Sequence, residues 1–196
     1  MNFGAVIGKK IGRGNIGTIY VLEGLIKDNN QSPRKSSRKS GSRKKLREKF
    51  LVKEIRFIDP ESPEIKVLPK FMRSKFTVEN QIKELRNEIA IQQIAASAGI
   101  APKILSYTDE YIVMQYIKGQ TLNNFIKSHS KHEVTEIMKK TQRLIDTMHG
   151  LGIKHNDLHG ENILVYQRRP YIIDFGMSEH SPNFKQKDFE NDYIQF

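Results

Sequence analysis

Eleven residues from His155 to Val165, HNDLHGENILV, hold two histidines, an aspartate, a glutamate and two asparagines before the chain turns apolar. Asp157 offers a carboxylate and Asn162 an amide oxygen. Five residues apart, both can point into one cleft if the loop folds back. Such a pair could orient a proton and hold a hard cation. A second carboxylate, Asp174, ends the run YIID and is followed by Phe175-Gly176. At a strand end, freed by glycine, it can hold a cation such as Mg2+; a simple turn aspartate is the plainer reading. His155 and His159 have a spacing that ligates zinc from a helix, but these residues read as loop, which argues against zinc.

Two further signals lie upstream. Gly12, Gly14 and Gly17 fall between two runs rich in β-forming residues, where a chain without Cβ atoms can approach phosphates closely. A dinucleotide fold would need a helix next, and the following residues read as strand. An ordinary glycine-rich hairpin fits equally well. Lys53 stands in the apolar run FLVKEI. Its amine is costly to bury unless an anion meets it, or it snorkels to solvent.

The elements that must position these groups follow from periodicity. Apolar residues up to Ile11, then Thr18 to Leu22 and Phe50 to Phe57, read as strands, and the proline-rich residues 59–76 as loop. Thr77 opens a helix whose face is Val78, Ile82, Leu85 and Ile89; Gly99 and Pro102 end it. KILSYTDEYIVMQY reads as a hairpin turning at Asp109-Glu110. A capping box, Ser130 to Glu133, starts a second helix that stops at Gly150 or Gly152. Two short strands, ILVY and YIID, flank a turn at 167–170. The class is α+β with two lobes: residues 1–114, β-rich, and residues 115–196, mostly helical.

The chain has 196 residues, 37% hydrophobic content and no cysteine, which suits one modest core and excludes disulfides and thiolate metal sites. No apolar run reaches the roughly 18 residues a membrane span needs, and the N-terminus lacks a secretory pattern. The expectation is a soluble cytoplasmic protein, with the nucleus as alternative. Of the net charge of +11, residues 31–50 supply most, with nine Lys or Arg against one Glu. Residues 27–49 therefore read as a disordered basic insertion: a contact for RNA or another polyanion, a nuclear-import patch, or a solvated loop without a partner.

In order, the chain shows Gly-x-Gly-x-x-Gly, a strand lysine, a helix glutamate, His-x-Asp-(four)-Asn and Asp-Phe-Gly. It resembles the protein-kinase superfamily over essentially its whole length. The resemblance implies ATP and Mg2+ as cofactors. Gly12, Gly14 and Gly17 would cover the phosphates, with Ile19 on the strand that follows. Lys53 would contact the α/β-phosphates and pair with Glu88, or with Glu84 in reserve. Met114 would line the adenine pocket, and the backbone of Gln115 and Ile117 would bond the base. Asp157 would be the base, and Asn162 and Asp174 the metal ligands.

The departures narrow the type. Asn156 replaces the usual arginine before the aspartate, His159 the usual lysine two residues after it, and Leu51 the small residue before Lys53. No Ala-Pro-Glu follows Asp-Phe-Gly, and 20 residues remain after Gly176, so a truncated helical C-lobe is expected. RNEIAIQQIAASAGIAPKIL and KDFENDYI are similar to the PRPK-type kinase subunit of the KEOPS tRNA-modification complex, and the minimal build to the RIO kinases. That implies an atypical serine/threonine kinase or ATPase with partner proteins in a tRNA-associated complex. HNDLHGENIL also looks like the loop of aminoglycoside and choline kinases, so a small-molecule kinase is the first rival. A kinase-fold scaffold binding RNA through its basic insertion is the second.

Overall fold

The structure is a computed structural model that describes residues 10–14, 17–24 and 48–192. Strands β1 (Lys10–Gly14), β2 (Gly17–Gly24) and β3 (Glu48–Ile55) open the chain. Two single-turn helices, α1 (Pro63–Lys66) and α2 (Lys70–Arg73), precede the long α3 (Val78–Ser97). Strands β4 (Ile104–Tyr107), β5 (Tyr111–Gln115) and β6 (Gln120–Thr121) lead to α4 (Leu122–Ser128) and α5 (Lys131–Gly150). Then come β7 (Ile153–Lys154), β8 (Ile163–Tyr166), β9 (Arg169–Ile172) and β10 (Glu179–His180), with single 3-10 turns between.

The first five strands form one antiparallel sheet in the order β1-β2-β3-β5-β4. The later strands make a three-stranded sheet, β6-β8-β9, and the pair β7-β10. Helix α3 joins the two halves because it is apolar on more than one side. Leu85 and Ile89 pack with Ile112 and Met114 of the first sheet. Ile91, Ala95 and Ala96 pack instead with Leu122, Phe125, Ile145 and Met148 of the helical half. A backbone bond from Ile172 N–H to Ile100 C=O, 2.9 Å, fixes the start of β4's approach against β9. The mixed architecture is the expected α+β class.

Several expectations need correction. Residues 59–76 are not plain loop: Pro63 stands at the first turn of α1, where proline's missing N–H costs nothing, and Pro69 directly precedes α2. Val78 does not belong to the buried face of α3; it is exposed and Gln81 takes the buried position. The Gln81 amide accepts from Ile58 N–H at 2.7 Å and donates to the carbonyls of Ile58 and Phe76, both at 2.8 Å. A buried polar group so fully bonded can replace an apolar one. The hairpin between β8 and β9 turns at Gln167 and Arg168, both with positive φ, so β9 begins at Arg169. Helix α4, capped by Thr121 Oγ1 accepting from Asn124 N–H, was not anticipated.

The expected basic insertion, 27–49, loses its last two residues to β3, where Glu48 and Lys49 pair with Gly24 and Glu23. Its remainder, and the glycine turn at Asn15-Ile16, lie outside the described residues. Among the described residues, no helix is long and apolar enough to cross a membrane.

Candidate active site

Lys53 sits at the centre of the first sheet, opposite Ile19 in β2 and Ile112 in β5. Its side chain leans onto α3, where Nζ meets Glu88 Oε1 at 2.6 Å. The Glu88 side chain is only 5% exposed and that of Lys53 13%, so each charge depends on the other. Glu84, one turn earlier, is exposed. The geometry selects Glu88. In the β1–β2 hairpin Gly12 pairs with Ile19, the residue opposite Lys53, while Gly14 pairs with Gly17, which lies opposite Ile55.

The loop after β7 folds back as its spacing required. Asn162 Nδ2 donates to the Asp157 backbone carbonyl at 2.9 Å and to its Oδ2 at 3.1 Å. Those bonds leave Asn162 Oδ1 without a donor among the described residues. Asp157 is half exposed, and its Oδ1 lies 3.7 Å from His159 Nε2. His159 Nδ1 accepts the Glu161 N–H at 3.3 Å, and its Nε2 lies 3.1 Å from Asn162 Nδ2.

Asp174 lies beyond β9 rather than in it, with φ of 66°, a left-handed conformation that aspartate tolerates better than most residues. Its carboxylate is exposed and takes no hydrogen bond among the described residues. The preceding residue is held from both sides. Ile173 N–H donates to Asn162 C=O at 2.9 Å, and Ile173 C=O is bonded by His155 Nε2 at 3.1 Å. Gly176 shows where Asp174 points: a Cβ there would meet Asp174 Oδ1 at 3.5 Å and Glu88 Oε2 at 3.6 Å. Lys53, Glu88 and Asp174 thus converge, with Asp157 and Asn162 on the adjoining loop.

This set suits a small, hard cation. Asp174 supplies a free carboxylate and Asn162 a free amide oxygen, both hard donors. Among the described residues no three His, Asp or Glu side chains gather into a cage, so such an ion would take its other ligands from water or a substrate phosphate. Three carboxylates against one amine also leave the site short of positive charge. A purine would find Met114, buried in one cluster with Leu85 and Ile89, and the backbone of Ile117, whose N–H is taken up by no described residue. The Gln115 N–H donates to Lys103 C=O at 2.8 Å, so of its backbone groups the carbonyl would be the one to meet a base.

Two supports escaped the sequence reading. His155 is a structural residue, fully buried with its ring tilted against Phe175 at 5.1 Å between centroids. Burial pushes its imidazole below the ordinary value, against the opposing pull of the Ile173 carbonyl. Asp192, also fully buried, accepts the N–H groups of His155 at 2.6 Å and Asn156 at 2.8 Å, and lies 3.2 Å from His149 Nε2. Burial alone would raise its carboxyl. The hydrogen bonds from His149 and the two amides outweigh that and hold it below the ordinary range. A buried anchor 35 residues or more from its amide partners has no local signature.

A model of the protein kinase domain matches residues 60–193. The chain belongs to that family. The matched stretch carries Glu88, Asp157, Asn162 and Asp174, while the glycine hairpin and Lys53 lie before it. Among protein-kinase relatives, the chain is similar to a probable bifunctional tRNA threonylcarbamoyladenosine biosynthesis protein of Methanospirillum hungatei. The two are 25% identical over 134 residues, 68% of this chain and 24% of that protein. It is 34% identical over 68 residues to the KEOPS complex subunit Bud32 of Pyrococcus abyssi, covering 35% of this chain and 31% of the subunit. The probable serine/threonine-protein kinase PknB of Bifidobacterium longum is 35% identical over 72 residues, 35% of this chain and 10% of that kinase. The chain thus spans less than a third of the length of each of these relatives.

Proposed function

We propose that this chain is an ATP- and Mg2+-dependent phosphotransferase of the atypical kinase type, acting as kinase or ATPase within a protein complex that serves tRNA modification. The observation that carries the chemistry is the meeting of Glu88, already paired with Lys53, and Asp174 over the α-carbon of Gly176. In this reading residues 1–114 and 115–196 are the two lobes, and the nucleotide lies between them. Lys53 holds the α/β-phosphates while Glu88 fixes its reach. Gly12, Gly14 and Gly17 cover the phosphates without a Cβ in the way, and Ile19, Met114, the Gln115 carbonyl and the Ile117 amide receive the adenosine. Asp157 accepts or orients the acceptor hydroxyl's proton. Asn162 Oδ1 and Asp174 hold Mg2+, which supplies charge neutralisation for the transferring phosphoryl group. The tRNA setting is supported by the names of two relatives.

The test is ATP turnover by the purified chain with and without Mg2+, beside an Asp174→Ala variant whose fold is checked by circular dichroism. The variant should lose at least about a hundredfold in turnover, on the scale of removing one electrostatic partner from a phosphoryl-transfer site. Equal turnover by a folded variant would defeat the metal assignment. Recovering proteins bound to the tagged chain tests the setting: tRNA-modification proteins support it, whereas phosphorylation of small hydroxyl compounds by the chain alone would favour a small-molecule kinase.

A further inference from the structure

We propose that Asn156 is a positioning residue whose amide ties the segment after Asp174 to the loop that carries Asp157, keeping the site assembled. The inference rests on the phosphotransferase reading for its consequence, though not for its geometry. Asn156 Nδ2 uses both of its protons on that segment, donating to Met177 C=O at 3.0 Å and to Glu179 Oε1 at 2.9 Å. Its backbone N–H is held by the buried Asp192 at 2.8 Å, so the tether has a fixed base. Asp157 is the next residue, and Asp174 lies three residues before Met177.

The rest of the segment follows the same path. Strand β10 pairs with β7, the strand that leads into the loop. Ser178 Oγ donates to His155 C=O at 3.3 Å, and Asn87, beside Glu88 on α3, donates to Ser178 C=O at 3.4 Å. Loop, metal-ligand segment and helix are thus stitched through residues 177–179. Asn156 supplies the stitch that comes from the catalytic loop's own side chain. Its residue type is demanded twice. The backbone has φ of 64°, which asparagine tolerates and most side chains do not. The contacts require two donors facing a carbonyl and a carboxylate, which neither aspartate nor a hydrophobic residue provides.

Three variants test this. Asn156→Gly keeps the left-handed backbone and removes the tether. Asn156→Asp sets a carboxylate against Glu179. Asn156→Asp with Glu179→Gln lets the introduced amide donate in the reverse direction. Two readouts are needed: hydrogen exchange of residues 175–181 against that of α5, and kcat separated from KM for ATP. The proposal expects exchange in 175–181 to quicken about tenfold in the first two variants with α5 unchanged. It also expects kcat to fall about tenfold while KM for ATP moves less than about twofold, with partial recovery in the double variant. Unchanged exchange in 175–181 overturns it, as does uniform quickening across α5, which would mark a merely structural residue. If the parent chain turns over no ATP yet exchange behaves as expected, the tether stands and the phosphotransferase reading falls.

Discussion

Lys53 and Glu88 each carry a charge that would be expensive where it sits; together they make a pair that also aims the amine. If they act as a unit, their removal should not be additive. Lys53→Met should cut ATP turnover by about a hundredfold or more, and Glu88→Gln by about tenfold. The double variant should be no slower than Lys53→Met alone, because Glu88 has nothing to position once the amine is gone. Losses that multiply in steady-state turnover would show two independent roles. At this scale the sequence is most informative where the chemistry restricts residue type. The order of Gly12, Lys53, Glu88, Asp157, Asn162 and Asp174 was readable, and the structure brings the polar members of that set together. The engaged amide of Gln115 was not readable, because it depends on which strand lies beside β5.

Local signals fix elements when the signal and its partner lie within one turn. The start of α5 is such a case: Ser130 Oγ accepts Glu133 N–H at 3.4 Å and Glu133 Oε2 accepts Ser130 N–H at 3.3 Å. The Ser130 side chain, and then its amide, hold the Glu133 carboxyl below the usual range. Ser130→Ala should cost about 1 kcal/mol and lower the thermal midpoint by roughly 2–4 °C in a domain of this size. A midpoint unchanged in differential scanning calorimetry would show that the helix does not depend on its cap. The same locality explains what was missed. Prolines at 63 and 69 look like breakers until the helical turn after each is seen. The face of α3 misleads because that helix packs against two clusters, so its apolar residues do not form one stripe. Gln81 looks like a solvent residue until the chain before the helix returns its carbonyls to it.

Across the whole molecule, the contacts hardest to foresee join residues far apart in the chain, and they set how the fold responds to acid. His155 and Asp192 are both buried beside the loop that carries Asp157, and both have carried their folded pKa downward. In each case the unfolded chain binds the proton more readily than the folded one. Stability is therefore complete above the unfolded value and is lost as pH falls below it. For His155 the loss begins near the ordinary imidazole value of about 6.5, and for Asp192 near the ordinary aspartate value of about 3.9. Urea midpoints should hold steady from pH 8 to 7, decline from about pH 6.5, and decline again below about pH 4. His155→Gln should flatten the first decline while leaving the second, since an amide cannot take the proton but can still donate to the Ile173 carbonyl. Midpoints that stay level down to pH 5 in the parent chain, or a first decline that survives His155→Gln, would remove this histidine from the account. The acid limit of the fold would then lie in carboxylates alone.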